Sequence, residues 1–214
     1  MKYCLMMRSR PRADEPIPEV HDRTMSELAK LPAPWGLTRV PWPKAQNPKD
    51  YAEVVILRKC FGPSITMTTT YQHRGAVDDA GDGIEDDWIH VDFYSKKVDY
   101  GLLLDAILPA YIDITRAYRA QLMPEEFLLN EANGIRAVPY HKGVYHIAPA
   151  NFFDRALCQH AFRLAPEEVL ERLGEKIAFG KIINDGAYIV STREIVDLAE
   201  ARNLNARLKP LLVK

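Results

Sequence analysis

Between residues 88 and 94 the chain alternates without a break. Trp88, His90, Asp92 and Tyr94 take one parity, and Ile89, Val91 and Phe93 take the other. A period of two belongs to an extended strand whose successive side chains point to opposite sides of a sheet, so this segment reads as a half-buried strand with one apolar side. Such a strand needs hydrogen-bonded neighbours and a layer over its apolar side. The chain offers both. Lys2 to Arg8 suits an N-terminal strand, and the β-branched runs Ala52 to Phe61 and Ser64 to His73 read as a hairpin joined at Gly62 and Pro63. Lys176 to Ile183 and Gly186 to Ser191 form a second hairpin through Asn184, Asp185 and Gly186, the strongest short turn signal present. Ile135 to Val138 and Val144 to Ile147 read as short strands about a turn at Tyr140 to Gly143.

Helical periodicity supplies the covering layer. Gly101 to Met123 repeats Leu104, Ile107, Leu108, Tyr111, Ile112, Thr115, Tyr118 and Leu122 at spacings of three and four, which predicts one long helix kinked or divided at Pro109. Shorter helices are expected over Met25 to Leu31 (capped by Thr24 or Asp22), over Asn151 to Phe162, from Pro166 towards Gly174, and over Glu194 to Leu204. The prolines of Pro11 to Pro18 rule out regular structure there on this reading. Pro32 to Pro48, with five prolines, Trp35 and Trp42, reads as an extended surface excursion. The expected fold class is α+β, mostly antiparallel sheet with packed helices. It is organised as one domain over 1–214 or as two tightly packed halves, 1–125 and 126–214, without internal repeats.

With 214 residues, 47% of them apolar, a full hydrophobic core is attainable. Cys4, Cys60 and Cys158 are odd in number and widely spaced, which reads as buried reduced thiols and not as a disulfide framework. The first residues carry Arg8, Arg10 and Arg12 too early for a signal peptide. Gly101 to Ile114 is broken by Asp105, Pro109 and Asp113, short of the roughly 20 apolar residues of a membrane span, so a cytoplasmic protein without membrane contact is expected. A net charge of −1 argues against nucleic acid as a partner.

Local charge is another matter. Gly75 to Ser95 holds seven carboxylates (Asp78, Asp79, Asp82, Glu85, Asp86, Asp87 and Asp92) and no lysine or arginine. Such crowding favours a cationic partner, and the plain alternative is a solvated loop. An EF-hand reading from Asp78 fails, because Ala80 and Ile89 fall where ligands are required. The six histidines show no HxxxH or HExxH pairing, and Cys158 and His160 point away from one another on a helix. No GxSxG, Walker-type or GxGxxG motif is present, so neither a catalytic set, a metal site nor a cofactor is expected from the sequence. The aromatics flanking the acidic run, Trp88 and Tyr94 among them, have the composition that binding surfaces favour.

One resemblance bears on these residues. The run His146 to Phe153, then Leu157 to Phe162, a helix from Pro166, and Asp185 to Val190 resemble bacterial immunity proteins of polymorphic toxin and type VI secretion systems, in particular the immunity protein 52 type. The resemblance spans roughly Trp88 to the C-terminus and lies in pattern more than in a mechanistic motif. It implies an α+β cytoplasmic protein, not an enzyme, that binds and blocks a co-encoded toxin, a nuclease with a basic cleft being the toxin most in keeping. On that reading Asp78, Asp79, Asp82, Glu85, Asp86, Asp87 and Trp88 are the expected partner contacts. The rival readings are a small hydrolase-like enzyme whose site is scattered along the sequence, and a structural or adaptor protein of a secretion machine or phage.

Overall fold

The computed structural model describes residues 1–37, 41–56, 60–61, 64–74, 83–136 and 138–213. Its centre is one eight-stranded antiparallel sheet in the order β2-β3-β4-β1-β5-β6-β8-β7. The strands are β1 (Lys2–Ser9), β2 (Ala52–Ile56), β3 (Ile65–Tyr71), β4 (Asp87–Tyr94), β5 (Arg119–Pro124), β6 (Ala150–Phe153), β7 (Phe179–Ile183) and β8 (Gly186–Val190). The α+β expectation holds, and the sheet runs without interruption through both halves of the chain.

β1 pairs β4 along one edge, Lys2 opposite Tyr94 through Ser9 opposite Asp87, and β5 along the other. Its odd-numbered side chains, Tyr3, Leu5 and Met7, are buried in the largest apolar cluster. Into the same cluster β4 sends Ile89, Val91 and Phe93, so the alternation read from the sequence is the alternation of the fold. This side of the sheet is covered by α1 (Ile17–Leu28), by Trp35 from the proline-rich segment, and by a helical run in three parts: α2 (Tyr100–Leu102), a π-helical Leu103–Ile107, and α3 (Leu108–Thr115). The opposite side is covered only from β1 onwards. There α4 (Glu125–Arg136), α5 (Arg155–Phe162), α6 (Pro166–Leu173) and α7 (Leu198–Leu212) close two further clusters over β5, β6 and β8.

Several expectations are corrected. α1 begins at Ile17 and not at Met25, and neither Thr24 nor Asp22 caps it. Pro16 is the N-cap and Pro18 lies in the first turn, where a missing N–H costs no intrahelical bond, so the prolines start the helix. The long helix is shorter than its periodicity. It ends where Arg116 turns left-handed (φ 51°), and Arg119–Pro124 is a strand buried at every position, for which apolar spacing does not distinguish helix from strand. Ahead of Pro109 the ladder widens so that Leu108 N–H reaches Leu103 C=O, the register by which the run accommodates proline. Residues 150–162 are strand then helix: Asp154 accepts from Leu157 N–H and starts α5 only there. Residues 135–136 belong to α4, and 144–147 form no strand. The last helix runs through Pro210 to Leu212 from an Asp197 cap and takes in the apolar tail. The β7–β8 turn is as expected, with Asn184 (φ 45°) and Asp185 (φ 63°) both left-handed as a type I′ turn demands. Among the described residues no helix is long and apolar enough to cross a membrane.

The N-terminal strand is tied to the far end of the chain by one side chain. Buried Tyr3 donates its hydroxyl to Val196 C=O (2.7 Å) and accepts from Val196 N–H (2.8 Å). Removing that oxygen leaves two buried backbone groups unpaired. Tyr3→Phe should therefore cost about 2–4 kcal/mol in urea unfolding, whereas Tyr94→Phe on the exposed side should change stability by less than about 0.5 kcal/mol.

Candidate binding surface and its buried supports

The uncovered side of β2, β3 and β4 follows from side-chain parity. Glu53 and Val55 of β2, Thr66, Thr68 and Thr70 of β3, and Trp88, His90, Asp92 and Tyr94 of β4 share this side, by the register that sets Thr70 opposite Trp88 and Thr68 opposite His90. None belongs to an apolar cluster. Val55 is 46% exposed and Tyr94 45%, Trp88 and His90 are half-buried, and among the described residues no helix packs here. Trp88 meets His90 edge-on (6.5 Å between centroids), His90 Nε2 donates to Asp92 Oδ1 (2.9 Å), and Asp92 Oδ2 lies 3.7 Å from Lys2 Nζ. The result is a strand-backed surface of threonine, aromatic and imidazole groups whose backbone is fixed by sheet hydrogen bonds.

The acidic segment joining β3 to β4 is rooted beside this surface, and its roots differ from the expected partner contacts. Asp86 is fully buried. Its Oδ2 accepts from the Tyr118 hydroxyl at 2.5 Å and lies 3.5 Å from Arg8 Nη1, and its Oδ1 accepts from His141 Nε2 at 2.7 Å. Arg8 also donates to Gly83 C=O and stacks over the Tyr140 ring, 3.7 Å from its centroid. Asp87 is buried against Arg74 in a two-pronged pair, both contacts 2.8 Å, and accepts from Gln72 N–H. Burial raises the Asp87 carboxyl above the ordinary range, with the Arg74 guanidinium pulling it back. Asp86 and Asp87 are thus interior supports and not contacts, because a buried carboxylate must be paired and both have taken the molecule's own cations. Glu85 is half-buried and Trp88 stands on the uncovered side; Asp78, Asp79 and Asp82 lie outside the described residues.

Beside this hub, Arg119 is buried and donates to Tyr140 C=O (3.3 Å) and Gly143 C=O (2.6 Å). It shares a small cavity of about 20 Å³ with Arg8 and with His146, whose two ring nitrogens have no protein partner. Burial, reinforced by the charges of Arg119 and Lys209, lowers His146 to about 3. His21 is likewise neutral in character. Its Nε2 donates to Pro43 C=O (2.8 Å), so its Nδ1 accepts from the Tyr71 hydroxyl (2.9 Å), and burial lowers its pKa. The three cysteines are buried, and among the described residues no three of His, Cys, Asp and Glu come together in a metal-holding group. Tyr94 has the binding-surface composition read from the sequence, whereas Val55, Thr66, Thr68 and His90 are added by the structure; their signal is the parity of the strands that carry them.

No protein-family model and no curated protein matches the chain. Among solved structures it is similar to the type VI secretion system (T6SS) protein PA0821 of Pseudomonas aeruginosa, with a TM-score of 0.57 over 99% of this chain and 76% of that one. Sequence identity is 10%, so what the two share is the fold.

Two expected outcomes follow from the buried groups. Asp86→Ala, which strands Tyr118, His141 and Arg8, should lower unfolding free energy by about 3 kcal/mol or more, against a near-neutral Glu85→Ala, as read by chemical denaturation. For His146 the folded pKa lies below the unfolded value near 6.5, so the unfolded chain binds a proton that the folded one refuses. The stability this group contributes is complete above pH 6.5 and is lost as pH falls towards about 3. Between pH 6.5 and 5 the slope of unfolding free energy against pH should flatten in His146→Phe by about one proton's worth, measured by urea titration at several pH values.

Proposed function

We propose that this protein binds and neutralises a cognate toxin of a type VI secretion or polymorphic toxin system, acting by occupancy and not by catalysis. The observation that carries the reading is the uncovered side of β2, β3 and β4, where Trp88, His90 and Tyr94 stand half-exposed on a rigid sheet while β5, β6 and β8 are buried at every position. Aromatic groups held by regular backbone contribute contact area at small entropic cost, which is how the central residues of tight interfaces work. Two further points support it: the immunity-like pattern of the second half of the sequence, and a fold shared with a protein described as belonging to a T6SS.

On this reading the contact is corrected from the carboxylate run to the strand surface, with Trp88 common to both. Asp78, Asp79, Asp82 and Glu85 keep a steering role towards a toxin with a basic cleft, nucleases included, since charge near an interface raises association rate more than affinity. A structural or adaptor role in a secretion machine draws on the same neighbour and the same surface.

The test is co-expression with the product of the adjacent toxin-like gene, followed by titration of the purified pair. The expected result is rescue of growth together with a complex that Trp88→Ala and Tyr94→Ala each weaken by roughly 30-fold without loss of thermal stability. A toxin bound equally well by both variants would remove the surface from the proposal. Growth arrest unrelieved by the protein would remove the immunity role, and a stable complex with a secretion-machine component in its place would select the adaptor.

A further inference from the structure

The other, helix-covered side of the sheet carries, at the start of β4, a cleft of about 270 Å³ between the turn after β1, α1 and the end of α3. Five arginines line it: Arg10, Arg12, Arg23, Arg74 and Arg116. In a chain of net charge −1 this concentration is local, and the carboxylates do not match it. Glu15 alone serves three of the five, with Arg116 Nη1 at 2.8 Å, Arg23 Nη2 at 3.1 Å and Arg12 Nη1 at 3.6 Å. Arg74 is committed to Asp87 and also donates from Nε to Glu15 C=O (3.0 Å). Arg10 pairs with Asp154 at 2.8 Å. Among the described residues two of the five guanidinium charges are therefore left without a carboxylate of their own.

We infer that this cleft binds a small phosphate-bearing ligand. The side chains of Arg12, Arg23 and Arg116 are 59%, 40% and 47% exposed, and Arg23 and Arg116 each give the Glu15 carboxylate one hydrogen bond while Arg12 stands 3.6 Å from it, so further donors of the three guanidinium forks face the cleft. A guanidinium fork matches two oxygens of a phosphate, and a dianion matches the surplus of two positive charges, which one carboxylate does not. Arg74, buried and locked on Asp87, fixes the floor. Glu15 sits at the focus of the three open arginines as an internal stand-in for part of the ligand's charge, and although burial raises its carboxyl, Arg116 and Arg23 hold it below the ordinary range. The cleft lies on the helix-covered side of the sheet, so this inference stands apart from the proposed partner surface.

Isothermal titration with pyrophosphate and with inorganic phosphate, in about 50 mM salt and against ionic-strength-matched chloride, tests it on the full chain. Saturable binding of pyrophosphate is expected, tighter than phosphate. Arg12→Gln with Arg23→Gln should weaken it about tenfold or more, and Glu15→Gln should strengthen it, because the competing carboxylate is gone while the arginines remain. Opposite signs for variants on one cleft do not arise from general misfolding, and unfolding curves on each variant check that directly. Absence of heat up to about 10 mM pyrophosphate, binding no tighter than chloride, or equal affinity in all variants would overturn the inference. A comparison with a short single-stranded oligonucleotide separates the sources of phosphate: preference for the polymer over pyrophosphate would overturn the small-ligand assignment.

Discussion

Everything in this molecule is hung on β1. Hydrogen-bonded along both edges, to β4 on one side and β5 on the other, it joins β2, β3 and β4 to β5, β6, β8 and β7, and the sheet is not continuous without it. It is also where the layering changes. Tyr3, Leu5 and Met7 look into a core that extends under the sheet from β2 to β8, whereas Cys4 on the other side marks the edge of the α4 and α7 cover. From β1 outward through β4 and β3 that second side has no helix among the described residues, and Thr66, Thr68, His90 and the rings of Trp88 and Tyr94 meet water. The exposed surface is thus a direct result of sheet order: the helices that follow β5 pack on the strands made after it and stop at the seam.

How much of this is legible in the sequence depends on whether the determining interactions are near neighbours. The parity of β4 and the Asn184, Asp185, Gly186 turn are local, and both were read as they stand. β5 is the opposite case. A strand buried on both sides loses its period-two signature, and Leu122 and Tyr118 continue a helical spacing by coincidence, so only the left-handed Arg116 and the two flanking strands decide the matter. α1 was hidden by prolines whose effect depends on position: in a helix interior they break, in the first turn they are tolerated.

The carboxylate run was misleading for a related reason. Counting charges along a segment treats the segment as its own environment, and within Gly75 to Ser95 there is indeed no cation. The partners come from elsewhere: the Arg8 guanidinium from β1, the Arg74 guanidinium from just after β3, and the His141 imidazole from the segment after α4. Once Asp86 and Asp87 are paired they no longer contribute to an external field; they fix the place and direction in which the connection between β3 and β4 leaves the sheet. Pairing of this kind fixes the start of β4 before any partner arrives, which lowers the conformational entropy lost on association there.

The two surfaces meet at consecutive residues. Asp87 turns to the helix-covered side, where Arg74 holds it in the wall of the arginine cleft, and Trp88 turns to the bare side, opposite Thr70. Period two makes this unavoidable, since neighbours on a strand cannot share a side. A charge that altered the Arg74–Asp87 pair would act on the first residue of β4, one peptide unit from the tryptophan on the proposed partner surface. The sheet is covered differently on its two sides, and at the start of β4, among the described residues, the cleft's electrostatics and the aromatic surface share a backbone.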